Sequence, residues 1–169
     1  MKNHLLLLMR HAKSDWSHHA AADFDRTLTD RGRKDAKKMG AWLRKKKLVP
    51  DLIVSSPAAR AERTALIVCK ETGFDPAEIN WDKRIYEASR EDLLKVVAGR
   101  AQDSGCVLLI GHNPGLDEIL DYLSGDQPEA NAAGKVLTTA AIAVLDYGQK
   151  AINNKKASAR LVCLVRPRD

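Results

Sequence analysis

Four side chains that can bind or attack a phosphoryl group follow apolar segments of the sequence. They are Arg10, His11, Arg60 and His112. The apolar segments at residues 5–9, 52–54 and 106–110 are typical of strands buried on both faces of a parallel sheet. The carboxyl ends of parallel strands lie at one edge of a sheet, where ligands bind in open α/β folds. We therefore expect these four side chains to converge on one pocket.

The chemistry of such a pocket is set by its residue types. A neutral imidazole can attack phosphorus and carry the phosphoryl group covalently, while arginines and a second histidine neutralise the phosphoryl oxygens. No group of ligating side chains has the spacing of a metal motif, so we expect neither a metal nor a cofactor. Lys13, Ser14 and Arg26 are further candidates for phosphate binding. The alternative is that Lys13 and Ser14 are polar loop groups and that Arg26 is a surface or helix-start charge. His18 and His19 are adjacent and are expected to be a solvated pair.

The elements that must position these groups alternate between strand and helix. Four helix starts are indicated by a capping residue, two of them with a following proline: Thr29, Ser56 before Pro57, Ser89 with Asp92, and Asn113 before Pro114. A short strand is predicted at 79–81, and a late pair at about 140–145 and 160–165 has the alternation of a sheet edge or hairpin. We predict a three-layer α/β/α sandwich with a mostly parallel central sheet, in one domain spanning residues 1–169. Arg31 and Arg33 are expected to be surface or helix-start charges.

Composition narrows the class of protein. The 169 residues carry 28 Lys+Arg against 22 Asp+Glu, a net charge of +6 that favours anionic partners. We predict no nucleic-acid partner, because the basic run at 44–47 is explained by a helix C-terminus. We also expect no membrane segment and a cytoplasmic protein. The cysteines, expected to be small buried hydrophobic residues, are Cys69, Cys106 and Cys163.

Several sequence segments, taken together, resemble the histidine phosphatase superfamily, which includes the cofactor-dependent phosphoglycerate mutases. The segments are Leu8-Met9-Arg10-His11-Ala12, Asp25-Arg26-Thr27-Leu28-Thr29-Asp30-Arg31-Gly32, Ser55-Ser56-Pro57-Ala58-Ala59-Arg60-Ala61 with Thr64-Ala65, and Gly111-His112-Asn113-Pro114-Gly115. They occur in the order of the family, and in detail they look like its small SixA-type phosphohistidine phosphatase branch. The resemblance implies a phosphoglycerate mutase-like fold, here without a large insertion capping the site.

The resemblance also implies roles for individual residues. His11 would be the nucleophile that forms a phosphohistidine intermediate, while Arg10, Arg60 and His112 would bind the phosphoryl group. Glu87 is the candidate general acid, with a helix-start carboxylate as the alternative interpretation. Ala12 stands where the larger family usually has glycine, so a left-handed backbone there would be strained.

The predicted activity is a metal-independent phosphatase that removes phosphate from phosphohistidine on a partner protein. One alternative is a phosphatase or mutase acting on small phosphomonoesters, although a mutase would need a more enclosed pocket. Another is a non-enzymatic module that binds phosphate or a phosphoprotein. We expect specificity to lie in loops 13–27 and 124–135, at the rim of the pocket. The sequence determines neither the physiological substrate nor the oligomeric state.

Overall fold

The computed structural model describes residues 2–16, 22–100 and 103–168. The predicted solvated pair His18-His19 lies outside the described residues. The strands are β1 (Leu5–Arg10), β2 (Leu52–Ser55), β3 (Asn80–Trp81), β4 (Cys106–Gly111), β5 (Ile142–Asp146) and β6 (Arg160–Val165). The helices are α1 (Asp30–Lys45), α2 (Ala59–Thr72), α3 (Arg90–Arg100) and α4 (Gly115–Ser124). Short 3₁₀ helices occupy Asp23–Asp25, Pro76–Glu78 and Lys83–Ile85.

The six strands form one sheet in the order β3-β2-β4-β1-β5-β6. Strands β1 to β4 are parallel to one another, which places their carboxyl ends at one edge. β5 pairs antiparallel with both β1 and β6, so β6 runs in the same direction as β1. This confirms the mostly parallel sheet and the antiparallel late strand, and it brings the end of β6 to the edge where β1 ends.

Helices cover both faces of the sheet, as the continuous apolar strands require. In β1, Leu6 and Leu8 pack in the core on the α3–α4 face, whereas Leu7 and Met9 pack in the core on the α1–α2 face. All four side chains are fully buried. Burying a leucine or methionine contributes roughly 1.5–3 kcal/mol of hydrophobic free energy, so the ends of β1 are held firmly from both layers.

The helix starts agree with the capping predictions in two cases and differ in two. The Thr29 hydroxyl accepts a hydrogen bond from Gly32 N at 3.0 Å, and Ser89 and Asp92 form the predicted reciprocal capping box.

Ser56 was wrongly predicted as the N-cap of α2, which begins at Ala59. Its hydroxyl accepts from Ala58 N instead, because Pro57 and Ala58 extend the turn out of β2. In the same way α4 begins at Gly115, after Pro114, although Asn113 Oδ1 still accepts from Asp117 N at 3.1 Å. Among the described residues, no helix combines the length and apolar character needed to cross a membrane.

Candidate active site

The ends of three adjacent parallel strands bring the predicted site together. Arg10 ends β1 beside Gly111 of β4, and His11 N donates to Gly111 O at 3.0 Å. Ser56, after β2, donates its amide to Ile110 O at 3.0 Å. These backbone bonds extend the strand pairing by one residue past the strand ends, so the side chains beyond them are positioned by the sheet.

His11 is held as a neutral imidazole with a defined tautomer. Its ring is buried, and Nδ1 lies 2.8 Å from the carbonyl oxygen of Ala12. A carbonyl can only accept, so Nδ1 carries the proton and Nε2 keeps its lone pair. Burial, with His112 and the nearby arginines, lowers the pKa of His11 to about 3, against the raising effect of the Ala12 carbonyl. Nε2 therefore keeps a free lone pair at neutral pH, which is what a nucleophile requires.

Arg10 lies beside His11 under the loop that precedes β5. Its Nη1 donates to Leu137 O at 3.2 Å, while Nε is buried without a hydrogen-bond partner. Burial lowers the pKa of Arg10, opposed by the charge of Asp117. Ala140 N lies 3.1 Å from both the Arg10 and His11 carbonyl oxygens, so the same loop also holds the backbone at the end of β1.

Arg60 and Arg26 converge on Asp23, a residue that no sequence motif singled out. Arg60 donates to the Asp23 carbonyl at 2.9 Å and to Oδ2 at 3.0 Å, and Arg26 Nε donates to Oδ1 at 2.9 Å. The Tyr86 hydroxyl donates to Oδ2 at 2.7 Å. Partial burial raises the pKa of Asp23, but these hydrogen bonds and the arginine charge outweigh it and lower the pKa to about 2. Asp23 is thus an ionised carboxylate that orients two arginines.

His112 faces His11, with 5.2 Å between the ring centroids. Its Nε2 lies 2.8 Å from Ser56 Oγ, and its Nδ1 is buried without a partner. Because Ser56 Oγ accepts from Ala58 N, its hydroxyl proton can be donated to Nε2, and this tautomer places the His112 proton on Nδ1. Burial and the charge of Arg60 lower the pKa of His112 to about 4. Nδ1–H is then a buried donor available to a ligand oxygen.

The three further phosphate-binding candidates, Lys13, Ser14 and Arg26, line the cavity that Arg10, His11, Arg60 and His112 also line. Arg26 is buried, and its Nη1 donates to the buried Ser14 hydroxyl at 2.6 Å. Its guanidinium stacks 3.4 Å above the ring of Trp16. Lys13 is exposed, and its carbonyl accepts from Thr29 N at 3.0 Å. The structure therefore brings these three side chains to the same pocket as the four side chains at the strand ends.

Glu87 lies apart from this group. It is exposed, its backbone is left-handed with φ of 54°, and it is not among the residues that line the cavity. It directly follows Tyr86 and precedes the capping box of α3. Its role as a general acid stays a prediction.

Ala12 adopts an ordinary backbone conformation and is not strained. Among the described residues the non-glycine positions with positive φ are Lys47, Glu87, Ala140 and Ala157. Ala12 is fully buried, and its amide donates to Thr64 Oγ1 at 3.0 Å. The Thr64 hydroxyl in turn donates to Arg60 O at 2.7 Å, so alanine at position 12 fits a link between β1 and α2.

The four predicted side chains, Arg10, His11, Arg60 and His112, line a cavity of about 670 Å³ at the carboxyl edge of the sheet. Both predicted rim loops contribute to it, for example through Trp16 and Asn131. Of the described lining residues, seven are cationic: Arg10, Lys13, Arg26, Arg31, Arg60, Lys135 and Arg168. Asp23 is the carboxylate among the described lining residues. A cavity of this charge suits a substrate with several anionic oxygens.

Besides Asp23, other lining residues were missed or assigned elsewhere. Thr138, in the loop before β5, and Arg168, after β6, were not predicted, and Arg31 was expected to be only a helix-start or surface charge. Arg168 had a usable signal, because it comes after a strand as His11 does. That signal required knowing that β6 runs parallel to β1. Arg33 is a helix-start charge as predicted, with Nη1 donating to Leu28 O at 2.9 Å and a contact to Asp30.

Comparison with known proteins identifies the family. The sequence pattern of the histidine phosphatase superfamily (branch 1) matches residues 6–94. Two uncharacterized mycobacterial proteins are similar over most of the chain. The one from Mycobacterium leprae is 29% identical over 166 residues, covering 95% of this chain and 100% of the relative. The one from Mycobacterium tuberculosis (strain H37Rv) is 33% identical over 141 residues, covering 81% and 85%.

A solved structure shares the fold of this chain. The crystal structure of the "putative phosphohistidine phosphatase SixA" from Agrobacterium tumefaciens superposes with a TM-score of 0.82 at 27% identity, covering 99% of each chain. The sequence match shows the superfamily, and the structural match supports the predicted SixA-type branch and the phosphoglycerate mutase-like fold. The chain belongs to the histidine phosphatase superfamily, in its SixA-type branch, and is a phosphatase.

Proposed function

We propose that this phosphatase removes the phosphoryl group from phosphohistidine on a partner protein, through a covalent intermediate on His11. One observation carries the phosphoryl site. Among the described residues, the buried side-chain nitrogen and oxygen atoms without a hydrogen-bond partner are Arg10 Nε, Arg60 Nε, His112 Nδ1 and Thr138 Oγ1. All four belong to residues that line the cavity. An unsatisfied buried polar group costs about 1–3 kcal/mol, and phosphoryl oxygens would satisfy these donors.

The chemical step begins at Nε2 of His11. Its lone pair attacks phosphorus while the bond from phosphorus to the substrate nitrogen breaks. The bond electrons leave with the substrate ring, which carries a proton on its other nitrogen and so departs as neutral imidazole. The positive charge that develops on the His11 ring is stabilised by its Nδ1–H bond to the Ala12 carbonyl. Water then attacks phosphorus, the bond to Nε2 breaks, and inorganic phosphate is released. Arg10, Arg60 and His112 bind the phosphoryl oxygens in both steps.

The acid groups of the cavity favour a phosphohistidine substrate over an ester. An alkoxide leaving group needs a proton from a general acid, whereas an imidazole is a better leaving group. The carboxylate among the described lining residues is Asp23, whose pKa of about 2 makes it a poor proton donor at neutral pH. Glu87 is outside the lining. Hydrolysis of a phosphoramidate is therefore the chemistry that these residues serve best.

The mouth of the cavity supports a protein as the partner. Trp16 lines the cavity with 72% of its surface exposed. Phe24 is 36% exposed and packs edge-on against Tyr86, with 5.1 Å between the ring centroids. Exposed aromatic side chains are enriched in protein-binding surfaces. The structural relative named as a phosphohistidine phosphatase supports the same substrate class.

A small phosphomonoester is the second candidate substrate. The cavity volume of about 670 Å³ lies within the range of small-molecule sites, roughly 300–1,000 Å³. Such a substrate would need a general acid, so this alternative depends on a role for Glu87.

The test measures phosphate release without added metal from a phosphohistidine protein and from an aryl phosphate. We expect wild type to prefer the phosphohistidine protein and His11→Ala to lose activity by at least about a thousandfold. His4→Gln is the matched control, because His4 lies at the other end of β1 and is expected to leave the rate unchanged. Rapid denaturation in base should trap phosphate on His11 of wild type.

Other results would reject the proposal. Full activity of His11→Ala would remove the nucleophile, and a strong preference for the aryl phosphate would indicate a small-molecule phosphatase. Binding of phosphate without release from either substrate would indicate a non-enzymatic module.

A further inference from the structure

The charge of the cavity exceeds what one phosphoryl group requires. The inner cations, half-buried Arg10 and buried Arg60, lie beside the two histidines and suffice for the phosphoryl oxygens. Arg31, Arg168 and Lys135 line the same cavity farther out, on α1, on the segment after β6 and on the loop before β5. The outer group is without a role in the transfer step. Its placement at the mouth points to a second anionic feature of the substrate.

Arg31 and Arg168 are held in place by one buried carboxylate. Arg168 Nε lies 3.0 and 3.1 Å from the two oxygens of Asp35, and Arg31 Nε lies 3.7 Å from Oδ2. Asp35 is 2% exposed, whereas the two arginine side chains are 55% and 50% exposed. Both contacts to Asp35 use Nε. Among the described residues, Asp35 therefore leaves the terminal nitrogens of both guanidiniums for another anion. Arg31, Arg168 and Asp35 together keep an excess of one positive charge.

The chain segment that carries Arg168 is anchored to its surroundings. Arg166 donates to Val136 O at 3.0 Å and to Glu129 O at 2.6 Å. Lys38 Nζ donates to Pro167 O at 2.7 Å. These bonds tie the segment after β6 to α1 and to the loop before β5. The backbone that carries Arg168 is thus held at the cavity mouth by hydrogen bonds.

We propose that Arg31, Arg168 and Lys135 form a second anion subsite that binds aspartate or glutamate side chains flanking the phosphohistidine of the protein substrate. The inference rests on the proposed function. The half-exposed guanidiniums differ from Arg60, whose side chain is 8% exposed, and they suit carboxylates that stay partly hydrated on a protein surface. The exposed Trp16 at the same mouth supplies an apolar contact to that surface.

The first experiment compares two short phosphohistidine peptides, one with glutamates on both sides of the phosphohistidine and one with glutamines. Exposed ion pairs each stabilise a complex only modestly, so we expect wild type to show a kcat/KM about three- to tenfold higher for the glutamate peptide. The ratio should fall toward one when the outer charges are removed and as the salt concentration rises.

The variants avoid leaving Asp35 buried without a partner. The triple variant Arg31→Gln, Asp35→Asn, Arg168→Gln removes the charges together and keeps amide hydrogen bonding, and Lys135→Gln changes an exposed side chain alone. The matched control is Lys155→Gln with Lys156→Gln, which removes two exposed charges before β6, at the opposite edge of the sheet. It should keep the wild-type ratio. Thermal unfolding checks that each variant is folded.

A second measurement does not depend on catalysis. Fluorescence anisotropy tracks a labelled, unphosphorylated glutamate peptide, which should bind wild type several-fold more tightly than the triple variant. If phosphohistidine peptides are not hydrolysed but this difference in binding is found, the proposed function fails and the subsite stands. If wild type hydrolyses both peptides equally, or if the folded triple variant keeps the wild-type preference and binding, the subsite is rejected.

Discussion

Two cavities lie at opposite edges of the same sheet, and the larger one is not the candidate active site. One cavity lies at the amino edge, where the parallel strands begin, and has a volume of about 1030 Å³. The cavity at the carboxyl edge, where these strands end, has a volume of about 670 Å³. The amino-edge cavity is lined by the starts of β1 and β4 and by apolar side chains such as Trp42 and Val162. None of the buried, unpartnered polar atoms found among the described residues belongs to its lining.

This difference shows that the residue types at the strand ends, and not the volume of the cavity, identify the candidate site in this fold. Parallel strands end together, so the residue after each strand shares one edge with the residues after its neighbours. At the carboxyl edge these are arginines and histidines whose polar atoms are desolvated before any ligand arrives. At the amino edge the cationic side chains that line the cavity stay in solvent. Arg160, for example, pairs with Asp146 while its side chain is 71% exposed.

Matched arginine variants test this contrast with the largest expected effect. Arg60→Gln removes a buried donor to the phosphoryl oxygens and should lower kcat/KM roughly 10²–10³-fold. Arg160→Gln removes an arginine of the amino-edge cavity and should change the rate less than about twofold. Steady-state phosphate release measures both. Equal losses in the two variants would break the distinction between the edges.

Acid should destabilise the carboxyl edge through its histidines. His11 and His112 have pKa values lowered to about 3 and about 4, against about 6.5 when unfolded. From pH 6.5 down to about 4, the unfolded state binds more protons than the folded state. The free energy of unfolding therefore falls as the pH is lowered, by up to about 1.4 kcal/mol per pH unit for each histidine.

Urea unfolding at several pH values measures this slope, and His112→Asn should make it shallower. Asp23 does not interfere above about pH 4.5, because its carboxyl group titrates near 3.8 when unfolded and its pKa in the folded protein is about 2. A variant slope identical to that of wild type would show that His112 is not held neutral.

Alanine substitutions at two glycines would compare how tightly the backbone is packed at the two edges. A Cβ on Gly32 of α1 would clash with the backbone carbonyl of Lys13, at the cavity wall. A Cβ on Gly105, at the amino edge, would lie 3.2 Å from a side-chain oxygen of Asp51. Gly32→Ala should lower the free energy of unfolding by about 1–3 kcal/mol, and Gly105→Ala by less, because a side chain can move. Denaturant midpoints measure both, and a larger loss for Gly105→Ala would contradict this expectation.

Glu87→Gln is expected to have the smallest effect and sharpens the substrate assignment. If Glu87 donates a proton to an ester leaving group, the variant should slow aryl phosphate hydrolysis by a few-fold more than phosphohistidine hydrolysis. The ratio of the two rates is the measurement. Equal losses on both substrates would count against Glu87 as the general acid.

Much of this site was predictable because its signals are local. The apolar run of β1 ends at Arg10 and His11, and a buried strand must deliver the next residues of the chain to the sheet edge. The capping residues Thr29 and Ser89 act within a single helical turn, so neighbouring residues suffice to place them. The helix starts after Pro57 and Pro114 were predicted slightly early, because a turn and a first helical residue share the same local preferences. The single domain over 1–169 stays a prediction.

The rest of the site depends on contacts between distant parts of the chain. The Tyr86 contact with Asp23 joins residues 63 apart, and the Arg168 contact with Asp35 joins residues 133 apart. Neither aspartate stands in a motif that marks it as a partner of arginines. Their roles depend on where the 3₁₀ helix at Asp23–Asp25 and the end of β6 come to lie.

Local sequence patterns predicted the ends of the strands around the site, the caps of α1 and α3, and the convergence of Arg10, His11, Arg60 and His112, because apolar periodicity and capping act over a few residues. Only the tertiary structure decided which nitrogen of His11 is free, which carboxylate orients the arginines, and that β6 returns Arg168 to the same edge. Those outcomes depend on burial and on the direction in which strands pair. Both are properties of the assembled sheet.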